Sequence, residues 1–157
     1  MSLSYSFLKK ITLNIKSPAS FVDLNAFDQN IKMTFDFLKS KNKKLRIATK
    51  SIRVPDLIRR IIEYSPNDIS GLMTYSIDET EYLSEMFPKL NFLVAYPIIL
   101  DSDINKALDL LESNVDIVLM VDSIEHLNKL KELNSKRDIP QKIKVCIDVD
   151  MGLKPFW

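Results

Sequence analysis

Leu45-Arg46-Ile47-Ala48-Thr49-Lys50-Ser51-Ile52-Arg53-Val54-Pro55-Asp56-Leu57 compresses one structural unit into a short stretch of chain. Leu45 to Thr49 is an apolar run of strand length. Pro55 fits the first turn of a helix, where its missing N–H has no partner to lose. Leu57, Ile58, Ile61 and Ile62 then fall on one side of that helix. Lys50 ends the strand. A residue there projects from the C-terminal end of the strand, the side on which α/β folds build their sites. A lysine amine in a pocket can condense with a carbonyl to form a Schiff base. Most lysines are solvated surface charges instead, so the surroundings of Lys50 carry the weight.

Moving outward, the same alternation repeats. Phe21 to Leu24 is a short extended run before a helix over Ala26 to Ser40, with Phe27, Ile31, Phe35 and Leu38 at helical spacing. Gly71 to Tyr75 reads as a strand. Ser76 and Glu79 stand at capping-box spacing ahead of a helix carrying Tyr82, Leu83 and Met86. Phe92 to Tyr96 is a strand closed by Pro97, followed from Ser102 by a helix that buries Ile104, Ala107, Leu108 and Leu111. Asp116 to Val121 is a further strand. Asp122 or Ser123 caps a helix with Ile124, Leu127 and Leu130 inward. Ile143 to Asp150 makes the last strand.

Strand ends near Lys50, Tyr75, Tyr96, Val121 and Asp148 recur at intervals of about 25 residues, enough for one strand, one helix and two short loops. Continuous apolar strands between amphipathic helices imply a parallel sheet covered by helices. A doubly wound open sheet needs about five strands, whereas a (β/α)8 barrel needs eight and about 250 residues. The expectation is an α/β chain forming a partial (β/α)8 TIM-type barrel. It would have about five to six βα units, with the C-terminal part missing. The stop at Pro155-Phe156-Trp157, just after a strand, reads as truncation. Residues 1–20 form an N-terminal segment in which Met1-Ser2-Leu3 fits a vector-derived start, and residues 21–157 form the barrel portion.

Composition removes several classes. Two glycines cannot spell a Walker loop or a dinucleotide fingerprint, and one histidine cannot build a His-based metal cluster. His126 reads as a surface residue on the polar side of its helix, and no serine-nucleophile motif occurs. A net charge of +1 argues against a nucleic-acid or anionic-membrane partner. The basic run Lys39 to Lys44 reads as a solvated loop. No apolar run reaches the ~20 residues that span a bilayer, and no secretory signal is present. The single cysteine, Cys146, reads as a buried small hydrophobe in a reducing, cytoplasmic compartment.

In a parallel barrel, Lys50, Thr74, Tyr75, Tyr96, Asp122, Asp148 and Asp150 would converge on one mouth. Amine, phenols and carboxylates there suit proton transfer around an imine. The competing readings make Asp122 a cap and the tyrosines packing residues. Asp148 and Asp150 alternate with apolar neighbours, so both should face one side. By themselves these residues name no reaction.

Ser17-Pro18-Ala19-Ser20-Phe21-Val22-Asp23-Leu24-Asn25-Ala26-Phe27, with Asn30-Ile31 behind it, resembles the opening of fold-type III pyridoxal phosphate enzymes. The D-threonine aldolase, D-serine dehydratase and alanine-racemase-like group is the nearest. Arg46, Lys50, Ser51 and Pro55 match the spacing of that group's cofactor-lysine pattern, although its histidines are replaced by Ala48 and Ile52. Leu93 to Ile98 and Ile147 to Gly152 are similar to two later motifs. Beyond Gly152 the family often places an arginine near the cofactor, where Leu153 and Lys154 stand here.

The resemblance implies a pyridoxal-phosphate-dependent lyase or isomerase of amino-acid metabolism, acting at the Cα of a D-amino acid. Lys50 would carry the cofactor as an internal aldimine, and Tyr96 and Asp148 would line the cofactor site. The phosphate-binding half, and any divalent metal, would come from residues outside this chain. The expected partners are a small amino acid and a second copy in a homodimer. Two alternatives remain open: a non-catalytic cofactor-binding or carrier barrel, and an inactive fragment that needs a partner chain to cover its sheet edges.

Overall fold

The computed structural model describes residues 4–16, 18–137, 139 and 142–152. Met1-Ser2-Leu3, Ser17 and the stretch from Leu153 to Trp157 lie outside the described residues. Contacts divide the chain between Thr34 and Phe35 into two compact units.

The first unit carries a helix α1 (Tyr5–Thr12), not among the expected elements although Phe7, Leu8 and Ile11 stand at helical spacing, capped by the Ser4 hydroxyl, which accepts from the N–H of Phe7. It also carries the start of α2 (Leu24–Ser40). The extended run expected at Phe21 to Leu24 forms no strand. Asp23 instead caps α2, its Oδ1 accepting from the N–H groups of Asn25 and Ala26 at 2.9 and 3.2 Å.

The second unit holds the rest of α2 and five strands: β1 (Leu45–Ala48), β2 (Ile69–Thr74), β3 (Phe92–Val94), β4 (Ile117–Val121) and β5 (Lys144–Ile147). Between them run α3 (Pro55–Tyr64), α4 (Ile77–Met86), α5 (Asp101–Glu112) and α6 (Ile124–Ser135). All pairings are parallel and the spatial order is β1-β2-β3-β4-β5. That order separates the two architectures. A doubly wound sheet reverses direction at a switch point, so its strands lie out of sequence, whereas a barrel wall adds each strand beside the last. The sheet is a five-strand part of a (β/α)8-type wall.

The two faces of the sheet differ as a barrel requires. On β4, Ile117, Leu119 and Val121 are fully buried, while Val118 and Met120 between them are only half-buried. The buried set packs with Val94, Ile104, Ala107, Leu108, Leu111 and Leu130 into the main core, between the outer face and the helices. Every apolar residue expected to be inward on α5 is buried there. The other face looks toward the barrel interior.

A chain with two glycines must end its helices by other means. After α2, the N–H of Lys43 donates to Leu38 O and that of Asn42 to Lys39 O, with Asn42 at φ 51°. After α5, Val115 donates to Leu110 O and Asn114 to Leu111 O, with Asn114 at φ 63°. Both are Schellman caps with asparagine in the left-handed position, the non-glycine residue that tolerates it best. Gly71 has no such substitute. At φ +141° a Cβ there would run into the carbonyl of Asn91, whose oxygen accepts from Leu72 N–H at 2.8 Å.

Three local expectations are corrected. Of the two candidate caps it is Ser123 that serves α6, accepting from the N–H of His126 at 3.2 Å. The inward stripe is His126, Leu130 and Leu133, with Leu127 partly buried beside it, so His126 is buried and Ile124 is exposed. Cys146 is only half-buried, because β5 has a neighbour on one side alone. The run Lys39 to Lys44 is exposed, as a solvated loop should be.

Candidate active site

Lys50 does not end β1 as expected. It sits two residues beyond the strand's end, in a 3-10 turn over Thr49–Ser51. Thr49 anchors the turn: it is fully buried and its hydroxyl donates to Met73 O at 3.1 Å. Arg53 closes it, its N–H donating to Thr49 O at 2.8 Å and its Nε to Lys50 O at 3.2 Å. Arg53 holds φ 53°, an uncommon conformation for a residue with a side chain, and such conformations concentrate at functional sites. Pro55 then starts α3 with Ile58 and Ile61 inward.

Strand register brings the partners of Lys50 to it. Ala48 lies opposite Met73, and Thr74 opposite Val94. Two residues past Ala48, in the turn, is Lys50, and two past Met73 is Tyr75, so both stand at the same end of adjoining strands. Tyr96 lies two residues past the end of β3. The Lys50 ammonium donates to the Tyr96 phenol at 3.4 Å and lies 5.9 and 6.0 Å from the ring centroids of Tyr96 and Tyr75. The two rings meet edge to face at 5.2 Å.

A cavity of about 470 Å³ opens beside them, lined by Ala48, Met73 and Met120 on the strands and by Lys50, Tyr75, Ala95, Tyr96 and Asp148 just past the strand ends. Its floor is made of short or unbranched apolar side chains, and its rim carries one amine, two phenols and one carboxylate. Lys50 is the one cation among the described residues that line it.

Lys50, Tyr96 and Asp148, the three residues singled out from the sequence, thus line one cavity, with Thr74 and Tyr75. Asp122 and Asp150 do not reach it. They line a neighbouring recess with Asp148, and Asp150 Oδ1 accepts from Gly152 N–H at 2.8 Å. Thr74 serves structure as well as the wall: its hydroxyl meets that of Thr80 at 2.6 Å in the core, which ties the end of β2 to α4. The capping box at Ser76 is formed only in part, since Glu79 reaches the N–H of Tyr75 at 2.6 Å, one residue before the cap. The apolar floor was missed in the sequence. Counting back two residues from each strand-end polar residue would have found Ala48 and Met73. Among the described residues no cluster of His, Cys, Asp and Glu is placed to hold a metal ion, and no helix is long and apolar enough to cross a membrane.

Residues 22–154 match the family of the alanine racemase N-terminal domain. The chain belongs to that family. The fold-type III pyridoxal phosphate group, which the motifs around Asp23, Lys50 and Asp148 resemble, is where this alanine-racemase-type domain sits. Among solved structures, D-threonine aldolase from Filomicrobium marinum is similar, with a TM-score of 0.76 and 23% identity. That match covers 88% of this chain and 36% of the aldolase chain, so the chain spans about a third of that relative's length. Comparison with the curated proteins finds no match. The alanine-racemase-type domain accordingly presents its cavity at the C-terminal ends of parallel strands, where barrels carry their chemistry.

Proposed function

We propose that the Lys50 cavity holds pyridoxal phosphate and that the protein acts on the Cα of an amino acid, as an aldolase-, dehydratase- or racemase-like enzyme. The observation that carries this reading is the Lys50 amine, held 3.4 Å from a phenol over a cavity with an apolar floor. The donor set fits the ring and aldehyde of the cofactor: a primary amine to join the aldehyde carbon, flat apolar walls for the ring, and a carboxylate on Asp148 at the rim. When bound, the cofactor ring supplies a sink for the electron pair left at the substrate's α-carbon.

The chain's own residues have distinct tasks. Lys50 Nζ would hold the cofactor's aldehyde carbon, and the same amine is placed to take or return a proton at the substrate's α-carbon. The Tyr96 hydroxyl accepts from Lys50 Nζ and so fixes the direction in which its lone pair or proton points. Met73 and Met120 give the floor its apolar surface. Family resemblance assigns the phosphate to later strands, which agrees with Lys50 being the one cation among the described lining residues. D-amino acids are the proposed substrates and a homodimer the proposed assembly.

The same single cation supports a second reading, a barrel that carries the cofactor without turnover. An amino acid brings a carboxylate, and no second positive side chain lines the cavity among the described residues. Titration with pyridoxal phosphate tests the common premise. The long-wavelength absorbance of lysine-bound cofactor should rise to a plateau in the wild-type chain and stay absent in Lys50→Ala. Release of an aldehyde or inversion of a D-amino acid then separates enzyme from carrier.

A further inference from the structure

Tyr75 has no clear task in the core. It is 53% exposed, follows β2 directly, and its ring contact is with Tyr96. Its backbone is nevertheless firmly set. Its N–H donates to Glu79 Oε2 at 2.6 Å, the preceding Thr74 is fully buried, and the following Ser76 caps α4. A well-fixed backbone therefore presents a half-exposed ring to the Lys50 cavity.

We propose that Tyr75 is a positioning residue for the Lys50 amine, forming with Tyr96 an aromatic clamp. This rests on Lys50 being the amine that receives the cofactor. A lysine on an exposed turn swings freely on its four-carbon stem and prefers to place its charge in water. Here the ammonium sits 6.0 Å from the Tyr75 ring and 5.9 Å from the Tyr96 ring, at the outer reach of a cation–π attraction. The Tyr96 phenol adds a hydrogen bond at 3.4 Å. Two rings packed edge to face at 66° cannot both turn away without losing their own contact. The clamp occupies one side of Nζ, so an aldehyde must approach from the side of Met73, Met120 and Asp148. The three members come from the ends of β1, β2 and β3, so the sheet itself sets their spacing.

The test uses the full chain with its lysines labelled at the ε-carbon with carbon-13, and Lys50→Arg to assign the Lys50 signal. The clamp predicts that the ε-proton signal is moved upfield by the ring currents. It should keep that shift in Tyr75→Phe and lose much of it in Tyr75→Leu. The rate at which pyridoxal phosphate and borohydride label Lys50 should fall about 2- to 5-fold in Tyr75→Leu and hold in Tyr75→Phe. In that labelling, Nζ joins the aldehyde carbon with loss of water and borohydride supplies the hydride that fixes the bond. If the leucine variant does not fold, Tyr75→Met carries the same comparison. A Lys50 signal that stays in place without the ring overturns the clamp, as does a phenylalanine variant that behaves like leucine. A shifted signal in a chain whose Lys50 takes no label overturns the cofactor reading and supports the clamp.

Discussion

Lys50 Nζ stands 3.4 Å from Tyr96 Oη across 46 residues of sequence, and the parallel sheet alone brings them together. β1 and β3 are not neighbours; β2 lies between them and contributes Tyr75 to the same group. The contact therefore depends on three consecutive strands ending at the same level. The hydrogen bond is long and partly open to water, so its contribution is modest. Tyr96→Phe keeps the ring and its contact with Tyr75 while removing the acceptor. The expected cost is about 1 kcal/mol or less, up to a fivefold slower capture of pyridoxal phosphate by Lys50. Stopped-flow absorbance checks it; an unchanged rate would mean that the phenol oxygen has no part in orienting the amine.

Gly71 should resist every substitution. Alanine would need φ +141°, and its methyl would collide with the Asn91 carbonyl and crowd Arg46. Gly71→Ala is expected to lose about 2–4 kcal/mol, because the obstacle is backbone and cannot rotate away. The midpoint of urea unfolding measures it.

His126 is buried with neither ring nitrogen hydrogen-bonded, and Asp122 at 3.8 Å is too distant to serve as an acceptor. A desolvated, unpaired imidazole weakens the fold, so His126→Leu should leave the melting temperature unchanged or raise it by up to about 4 °C. A clear fall on calorimetry would show that the imidazole has a partner.

Acid should weaken the junction of β4 and β5. Burial works against the charge of Asp116. The Lys144 ammonium, donating at 2.7 Å, outweighs it together with Asn91 and the charge of Arg46, and holds the carboxyl below its ordinary 3.8. A depressed carboxylate contributes stability above its unfolded pKa and loses it as pH falls through the lower folded value. Asp116→Asn should therefore be less stable than wild type near about pH 5, with the gap narrowing toward about pH 3. Urea midpoints at the two pH values give the answer, and a gap that does not narrow would contradict it.

The barrel wall was legible because it rests on periodicity. Pro55, the Ser76–Glu79 pair and the stripe Ile104, Ala107, Leu108, Leu111 each speak for a local structure that needs no distant partner. Sequence-order pairing was not legible in the same way, since five strands with helices between them fit an open sheet equally well until their neighbours are known. His126 was misread for a related reason. His126, Leu130 and Leu133 share one face of α6, and which face turns inward is decided by the sheet and helices it packs on rather than by its own spacing. Helix α1 lies outside the expected series although Phe7, Leu8 and Ile11 stand at helical spacing, and Phe7 and Ile11 remain exposed. Within the site, Lys50 stood out through its place before Pro55. Tyr75 gained its meaning only when the register set it beside Lys50.

Everything proposed about chemistry depends on one nitrogen. Borohydride reduction of the chain in pyridoxal phosphate, followed by proteolysis and mass spectrometry, identifies the lysine that carried the cofactor. The account predicts a pyridoxyl group on the peptide containing Lys50 and none on that peptide in Lys50→Arg. A label confined to other lysines, or spread evenly over the exposed ones, would contradict it.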